Sequence, residues 1–205
     1  MIATRTRTRI GPDCHGEPVP LDQLDELEYE TGHSYEIIDG RWYVALIAGF
    51  AEQSLERWLR RKLERYAEAN PAVVGWVTPK ARVFVHDRPD LTVPEPDITL
   101  YHENLDELVD ADEAANWDDF SPFLVVEVLV AGDERKDLVR NVELYFEVPS
   151  IAEYWILDGR DDSRQPTLIA HRRWGSRWVI RETPYGDTYT TRTLPGFALL
   201  LDPRQ

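Results

Sequence analysis

Phe123-Leu124-Val125-Val126-Glu127-Val128-Leu129-Val130 decides the fold. This short run is apolar at nearly every position and has no polar face. It therefore predicts a strand buried on both sides at the centre of a sheet. One residue interrupts it, Glu127. A carboxylate in such a strand is costly unless it is paired or bound to a cation, so the stretch that marks the sheet centre also nominates a functional residue. Downstream, Asp133 to Glu147 alternates charge with Leu138, Asn141, Val142 and Tyr145 on one side and is stopped by Pro149, which predicts a helix. Glu153-Tyr154-Trp155-Ile156-Leu157 is then a second buried strand, with Asp158-Gly159 as its exit turn. Strand, helix, strand makes a right-handed crossover and a parallel pair.

Working upstream, Tyr35-Glu36-Ile37-Ile38 and Arg41 to Ile47 are β-rich runs separated by Asp39-Gly40, the dipeptide of a type I′ hairpin turn. Glu52 to Ala69 repeats apolar residues at helical spacing (Leu55, Trp58, Leu59, Leu63, Tyr66) and stops at Asn70-Pro71. Strands are expected at Arg82 to His86 and Ile98 to Tyr101, and a short amphipathic helix from Leu21 to Glu28. Beyond Thr167, strands around Leu168 to His171 and Arg177 to Arg181 and a Pro195-Gly196 turn extend the sheet. The expected class is α/β with a central mixed sheet flanked by helices and a β-rich C-terminal extension. Residues 1–20 are expected to be a flexible segment and 21–205 a single domain.

The chain has 205 residues, 42% hydrophobic, and a formal charge of −15. That supports a sizeable core and excludes a generically basic nucleic-acid coat. Eight acids and no Lys or Arg fall between residues 102 and 119, so the remainder carries −15 plus 8, or −7. The single cysteine, Cys14, can form no internal disulfide and no zinc pair, which points to the cytoplasm. No apolar stretch follows the basic N-terminus, and the longest apolar run, Trp42 to Ala51, is about half of the ~20 residues a membrane span needs.

About thirty residues before Glu127, Pro96-Asp97 opens another strand, so two carboxylates meet if the strands are neighbours. Glu36 is a plausible third. Carboxylates are hard ligands of the kind Mg²⁺ takes, with water completing the octahedron. A buried ion pair of Asp97 and Glu127 with an arginine such as Arg82 is the competing reading.

The order YEIIDG, long helix, PEPDITL, LVVEVL, charged helix, AEYWILD resembles the Uma family of restriction endonuclease-like proteins, in the PD-(D/E)XK nuclease superfamily. The resemblance spans Tyr35 to Asp158. It implies a restriction endonuclease-like core and a Mg²⁺- or Mn²⁺-dependent endonuclease acting on DNA. Asp97, Glu127 and the Val128 carbonyl would be metal ligands, and Glu36 an acidic residue contributed by the hairpin. Homodimers are common among such nucleases. The chain departs from the pattern at the motif lysine. Leu129 stands two after Glu127, and on the next helix, where relatives place the lysine between an Asp and a Tyr, Asn141 lies between Asp137 and Tyr145. Ala48-Gly49-Phe50 and Val130-Ala131-Gly132 also differ from the relatives' loops. On an ideal α-helix Lys136 lies about 140° from Asn141 and Arg140 about 100°, which makes Arg140 the better substitute. A catalytically silent nucleic-acid or protein interaction module is therefore the alternative function.

Arg57 and Arg61 on the long helix, Arg140, and Arg172 and Arg173 beside Trp174 and Trp178 are the candidate nucleic-acid contacts. Trp42, Trp58 and Trp155 are expected in the core or at an interface, and His86 and His102 as surface or capping residues.

Overall fold

The computed structural model describes residues 8–20, 27–105, 108, 117–131 and 134–205. Strands are numbered in chain order: β1 (Thr8–Ile10), β2 (Leu27–Tyr29), β3 (His33–Ile38), β4 (Arg41–Leu46), β5 (Trp76–Thr78), β6 (Ile98–Tyr101), β7 (Leu124–Leu129), β8 (Glu153–Asp158), β9 (Thr167–Trp174), β10 (Arg177–Thr183), β11 (Thr188–Thr190) and β12 (Ala198–Leu200). Among the described residues the longer α-helices are α1 (Phe50–Ala69) and α2 (Asn141–Glu147), the latter preceded by a π-helical turn over Lys136–Arg140.

Every residue of β7 is buried. The strand lies inside a six-stranded sheet of order β10-β9-β8-β7-β6-β5. Only β7 and β8 run parallel, joined by the turn and α2; the other pairs are antiparallel. The fold is thus built on a mixed, mostly antiparallel sheet. Because side chains alternate along β7, Leu124, Val126 and Val128 share a core with Leu55, Leu59, Leu63 and Tyr66 of α1 and with Tyr189, Phe197 and Leu199 of the C-terminal segment. Val125 and Leu129 face the other way, onto Tyr145, Val148 and Tyr154. Leu59 and Leu63 are fully buried, each worth about 1.5–3 kcal/mol of transfer free energy. Helix α1 ends where Asn70 precedes Pro71, and the Asn70 side-chain amide donates to the Tyr66 carbonyl at 2.9 Å.

The hairpin β3–β4 turns through Asp39 (φ 49°) and Gly40 (φ 70°), the two positive angles of a type I′ turn. It stands apart as its own two-stranded ribbon, bridged to the rest through Ile37 and Val93. Tyr35 and Ile37 pack with Trp42, Val93 and Ile10. Glu36, pointing to the opposite face, is turned inward.

Several expectations are corrected. Residues 8–20 are not a loose tail: β1 pairs in parallel with β2, and the Gly16 and Val19 amides donate to the carbonyls of Trp42 and Gly40. Leu27 and Glu28 lie in β2 rather than in a helix, because pairing with Ile10 and its neighbours overrides a weak helical period; residues 21–26 lie outside the described residues. Arg82 to His86 is extended but forms no ladder. Val83 donates to the Pro94 carbonyl and Val85 to that of Thr92, while Pro94 and Pro96 have no N–H to return. Strand β5 was not legible. Gly75 precedes it, and a Cβ there would lie 2.4 Å from the backbone of His102 and Glu103. Strands β9 and β10 extend the main sheet, whereas β11 and β12 form a separate pair. Most of the acidic 102–119 stretch lies outside the described residues, as do residues 1–7, Gly132 and Asp133.

Candidate active site

In the β6–β7 register Ile98 opposes Val126. One step further along the same ladder, Asp97 comes opposite Glu127, and opposed residues project from the same face. That face looks into a cleft of about 430 Å³, lined also by Glu52, Lys80, Lys136 and Asp137 and roofed by the β4–α1 connection.

Asp97 is held from two sides: Lys80 donates to Oδ1, and the Val128 amide donates to Oδ2 at 2.7 Å. The arginine named in the competing ion-pair reading is elsewhere, since Arg82 pairs with Glu95 at 3.1 Å. Lys80 was missed in the sequence; its φ of 55° is unusual for a non-glycine residue, and such backbone outliers gather at functional sites.

Glu127 Oε1 accepts hydrogen bonds from Asn141 (2.8 Å) and from the Tyr145 hydroxyl (3.0 Å). Its Oε2 has the Lys136 ammonium at 3.8 Å. Burial pushes the Glu127 carboxyl well above the usual carboxylate range. The charges of Asp137, Asp97 and Glu36 add to that, and Lys136 opposes it. Asp137, likewise buried, is pushed up to about 6. Glu52, at the start of α1, reaches about 7 through burial and the neighbouring Asp97 charge.

Glu36 is buried, with an Arg140 nitrogen at 2.6 Å, Lys136 at 3.2 Å and the Glu95 amide at 3.3 Å. Burial would raise its pKa, but the two cations outweigh it and the group lies below the ordinary value. Lys136 shows the mirror image: burial lowers its pKa, yet Glu127, Glu36 and Asp137 hold it well above the ordinary lysine value. Three cations, Lys80, Lys136 and Arg140, thus face four carboxylates, Glu36, Asp97, Glu127 and Asp137.

The expectation that Lys136 points away is corrected by the π-helical turn. The Asn141 amide donates to the Lys136 carbonyl, five residues back. That widened turn stacks the two residues, where an α-helix would separate them.

A chain with this sheet, this pair of carboxylates and this helix can be compared with known proteins. The family model described as “Uma2: Putative restriction endonuclease” matches residues 21–202. The chain belongs to the Uma2 family. Among solved structures it is similar to a “putative nuclease belonging to DUF820” from Anabaena variabilis ATCC 29413, at 11% identity and TM-score 0.59, over 90% of this chain and 96% of that one. At that identity the likeness shows a shared nuclease-type fold. No curated protein matches the chain.

Restriction endonuclease-like families generally use a divalent metal. Among the described residues no group of three or more His, Cys, Asp or Glu is placed to hold a metal ion. Mg²⁺ does not need a closed cage; one or two carboxylates with water and substrate phosphate suffice. Asp97 and Glu127 fit that role. Each satisfies one oxygen with uncharged donors and turns the other to an ammonium, the kind of neighbour a cation replaces.

Of the arginines expected on nucleic acid, Arg57 and Arg61 line a groove of about 390 Å³ with Lys62, Arg65 and Arg204. Arg140 and Arg172 are drawn to the carboxylates of Glu36 and Glu153. Arg173 is engaged by the fold. Its guanidinium donates to the carbonyls of Ile151, Tyr145, Phe146 and Val148, between the rings of Phe146 and Trp178. Through Nε and Nη2 it caps the C-terminus of α2. Trp174 is exposed, while Trp178 donates to the Val142 carbonyl. Trp42 and Trp155 are core residues, Trp58 is half-buried, His86 pairs with Asp118, and His102 stacks on Phe123. No helix among the described residues is long and apolar enough to cross a membrane.

Proposed function

We propose that this nuclease-family chain is a Mg²⁺- or Mn²⁺-dependent endonuclease that hydrolyses DNA phosphodiester bonds in the cleft between the hairpin and β7. The observation carrying this reading is the register that sets Asp97 beside Glu127 on one face, with cations around them. Asp97, Glu127 and the Val128 carbonyl would hold the metal, which when bound polarises the phosphate and lowers the pKa of a water. Tyr145 and Asn141 fix the Glu127 carboxylate. Lys80 orients Asp97, and Glu36 anchors Lys136 and Arg140. In the reaction a water oxygen bonds to phosphorus as the bond to the leaving sugar oxygen breaks. The water's proton goes to solvent and the leaving oxygen takes one from it.

Outside the cleft, α1 carries Arg57, Arg61 and Arg65 at four-residue spacing. None has a carboxylate within ion-pair distance among the described residues, and we assign this stripe to the DNA backbone. The homodimer and the cytoplasmic location rest on the sequence alone and belong to this reading.

Plasmid cleavage by the purified chain with Mg²⁺, abolished by EDTA and in Asp97→Ala, is the expected result. Undiminished cutting by Asp97→Ala sinks the assignment. One observation favours a silent interaction module: the chain's own donors already satisfy Asp97 and Glu127. Calorimetry separates the two, because a silent module binds no Mg²⁺ or Mn²⁺ at millimolar concentration.

A further inference from the structure

We propose that Lys136 supplies, from the π-helical turn, the ammonium that relatives deliver from the position of Asn141, an inference that rests on the nuclease reading above. The argument begins with the backbone. The bond from the Asn141 amide to the Lys136 carbonyl spans five residues, so the extra residue in the turn carries Lys136 onto the face that Asn141 presents to β7. The lysine is then placed by three carboxylates, with Nζ 3.2 Å from Glu36 Oε1 and 3.8 Å from both Glu127 Oε2 and Asp137 Oδ1. Only the first is at hydrogen-bond distance. An ammonium has three N–H groups, so donors are left for a water or a phosphate oxygen in the cleft that Lys136 lines.

The other cations are less suited. Arg140 is bonded to Glu36 and to Asn141 Oδ1, and its guanidinium lies over the Tyr43 ring at 4.4 Å. Lys80 is bonded to Asp97 itself. Asn141 in turn is not an empty place in the motif. It satisfies Glu127 Oε1 as a neutral donor, while Lys136 brings positive charge to Oε2, so two residues share what one lysine does in relatives. Held among three carboxylates and lining the cleft, Lys136 acts as a fixed charge and donor, offsetting the negative charge that builds on the phosphate as the water attacks.

The test is steady-state cleavage of a plasmid by wild type, Lys136→Met, Lys136→Arg, and the double variant Lys136→Met with Asn141→Lys, each checked for folding by thermal melting. Lys136→Met is expected to lose about 100-fold or more in kcat with KM little changed, the size typical of one charge-stabilising donor. Lys136→Arg retains part of the rate. The double variant, which returns an ammonium to the same carboxylate, recovers at least about ten-fold over Lys136→Met. Calorimetry with Mg²⁺ alone gives a second readout. Removing a positive charge 3.8 Å from Glu127 tightens Mg²⁺ binding in Lys136→Met, whereas a variant whose site has merely loosened binds it more weakly. A Lys136→Met protein that cuts at the wild-type rate, or a double variant no better than the single, overturns the proposal and leaves the nuclease reading standing. A wild type that does not cut overturns both.

Discussion

Asn141 donates its side-chain amide to Glu127 at 2.8 Å and to Asp137 at 3.2 Å, so a residue read as a missing lysine holds two buried carboxylates in place. Replacing it with Leu, close in size but without donors, leaves Glu127 Oε1 to Tyr145 alone. Hydrogen bonds to charged groups contribute about 1.5–3 kcal/mol, and Asn141→Leu should cost about that much. In urea denaturation the midpoint falls with an unchanged slope.

A second buried carboxylate offers a larger effect away from the cleft. Glu153 on β8 is almost fully buried and accepts from Trp155 Nε1 (2.7 Å), the Tyr189 hydroxyl (2.9 Å), the Thr193 hydroxyl (2.8 Å) and Thr191, with Arg172 at 3.2 Å. It ties the C-terminal segment to the centre of the sheet. Glu153→Ala strands Arg172 and three hydroxyls, and should destabilise by about 3–5 kcal/mol, as breaking a buried pair does. Amide exchange should show β11 and β12 losing protection first.

These two carboxylates show what was legible in the sequence and what was not. Glu127 was visible because it interrupts an apolar run. Glu153 opens its strand, where an acid looks ordinary, and its three hydroxyl partners lie about forty residues away in the chain. The hairpin, α1, β7 and β8 were legible because a turn dipeptide, a helical period and unbroken apolar runs are local signals. Strand β5 and the Lys80–Asp97 pair depend on tertiary contacts that leave no local period. Lys136 was misplaced for a geometric reason: the rotation per residue assumed an α-helix, and nothing in Lys136-Asp137-Leu138-Val139-Arg140 announces a π-helical turn.

Arg173 discriminates a structural cation from a substrate contact. Its guanidinium serves four carbonyls and stacks on Phe146 and Trp178. Arg173→Met removes the donors and keeps much of the stem, so stability should fall by about 2–3 kcal/mol. The variant's affinity for a short DNA duplex, read by fluorescence anisotropy, should match wild type. Loss of binding by a fully folded variant would contradict the capping role.

His171 gives the fold a pH dependence with a definite sign. It is buried on β9, stacked on Tyr154 at 5.6 Å and edge-on to Trp178 at 6.3 Å, and its Nδ1 has no hydrogen-bond partner among the described residues. Burial holds its pKa below the ordinary histidine value. The folded chain therefore keeps a neutral imidazole at pH values where the unfolded chain takes up a proton. That contribution is fully present above the unfolded pKa of about 6.5. It is lost as pH falls from there through the lower folded value. Glu127 and Asp137, whose values are raised, act in the opposite direction over part of this range. The informative quantity is thus the stability of wild type minus that of His171→Phe, measured by denaturant titration at several pH values. The difference should be flat from pH 8 to 7 and move in favour of the variant as pH drops to 5, because only wild type has a buried ring that resists protonation. A difference that stays constant across this range would mean that the imidazole does not titrate between the two states.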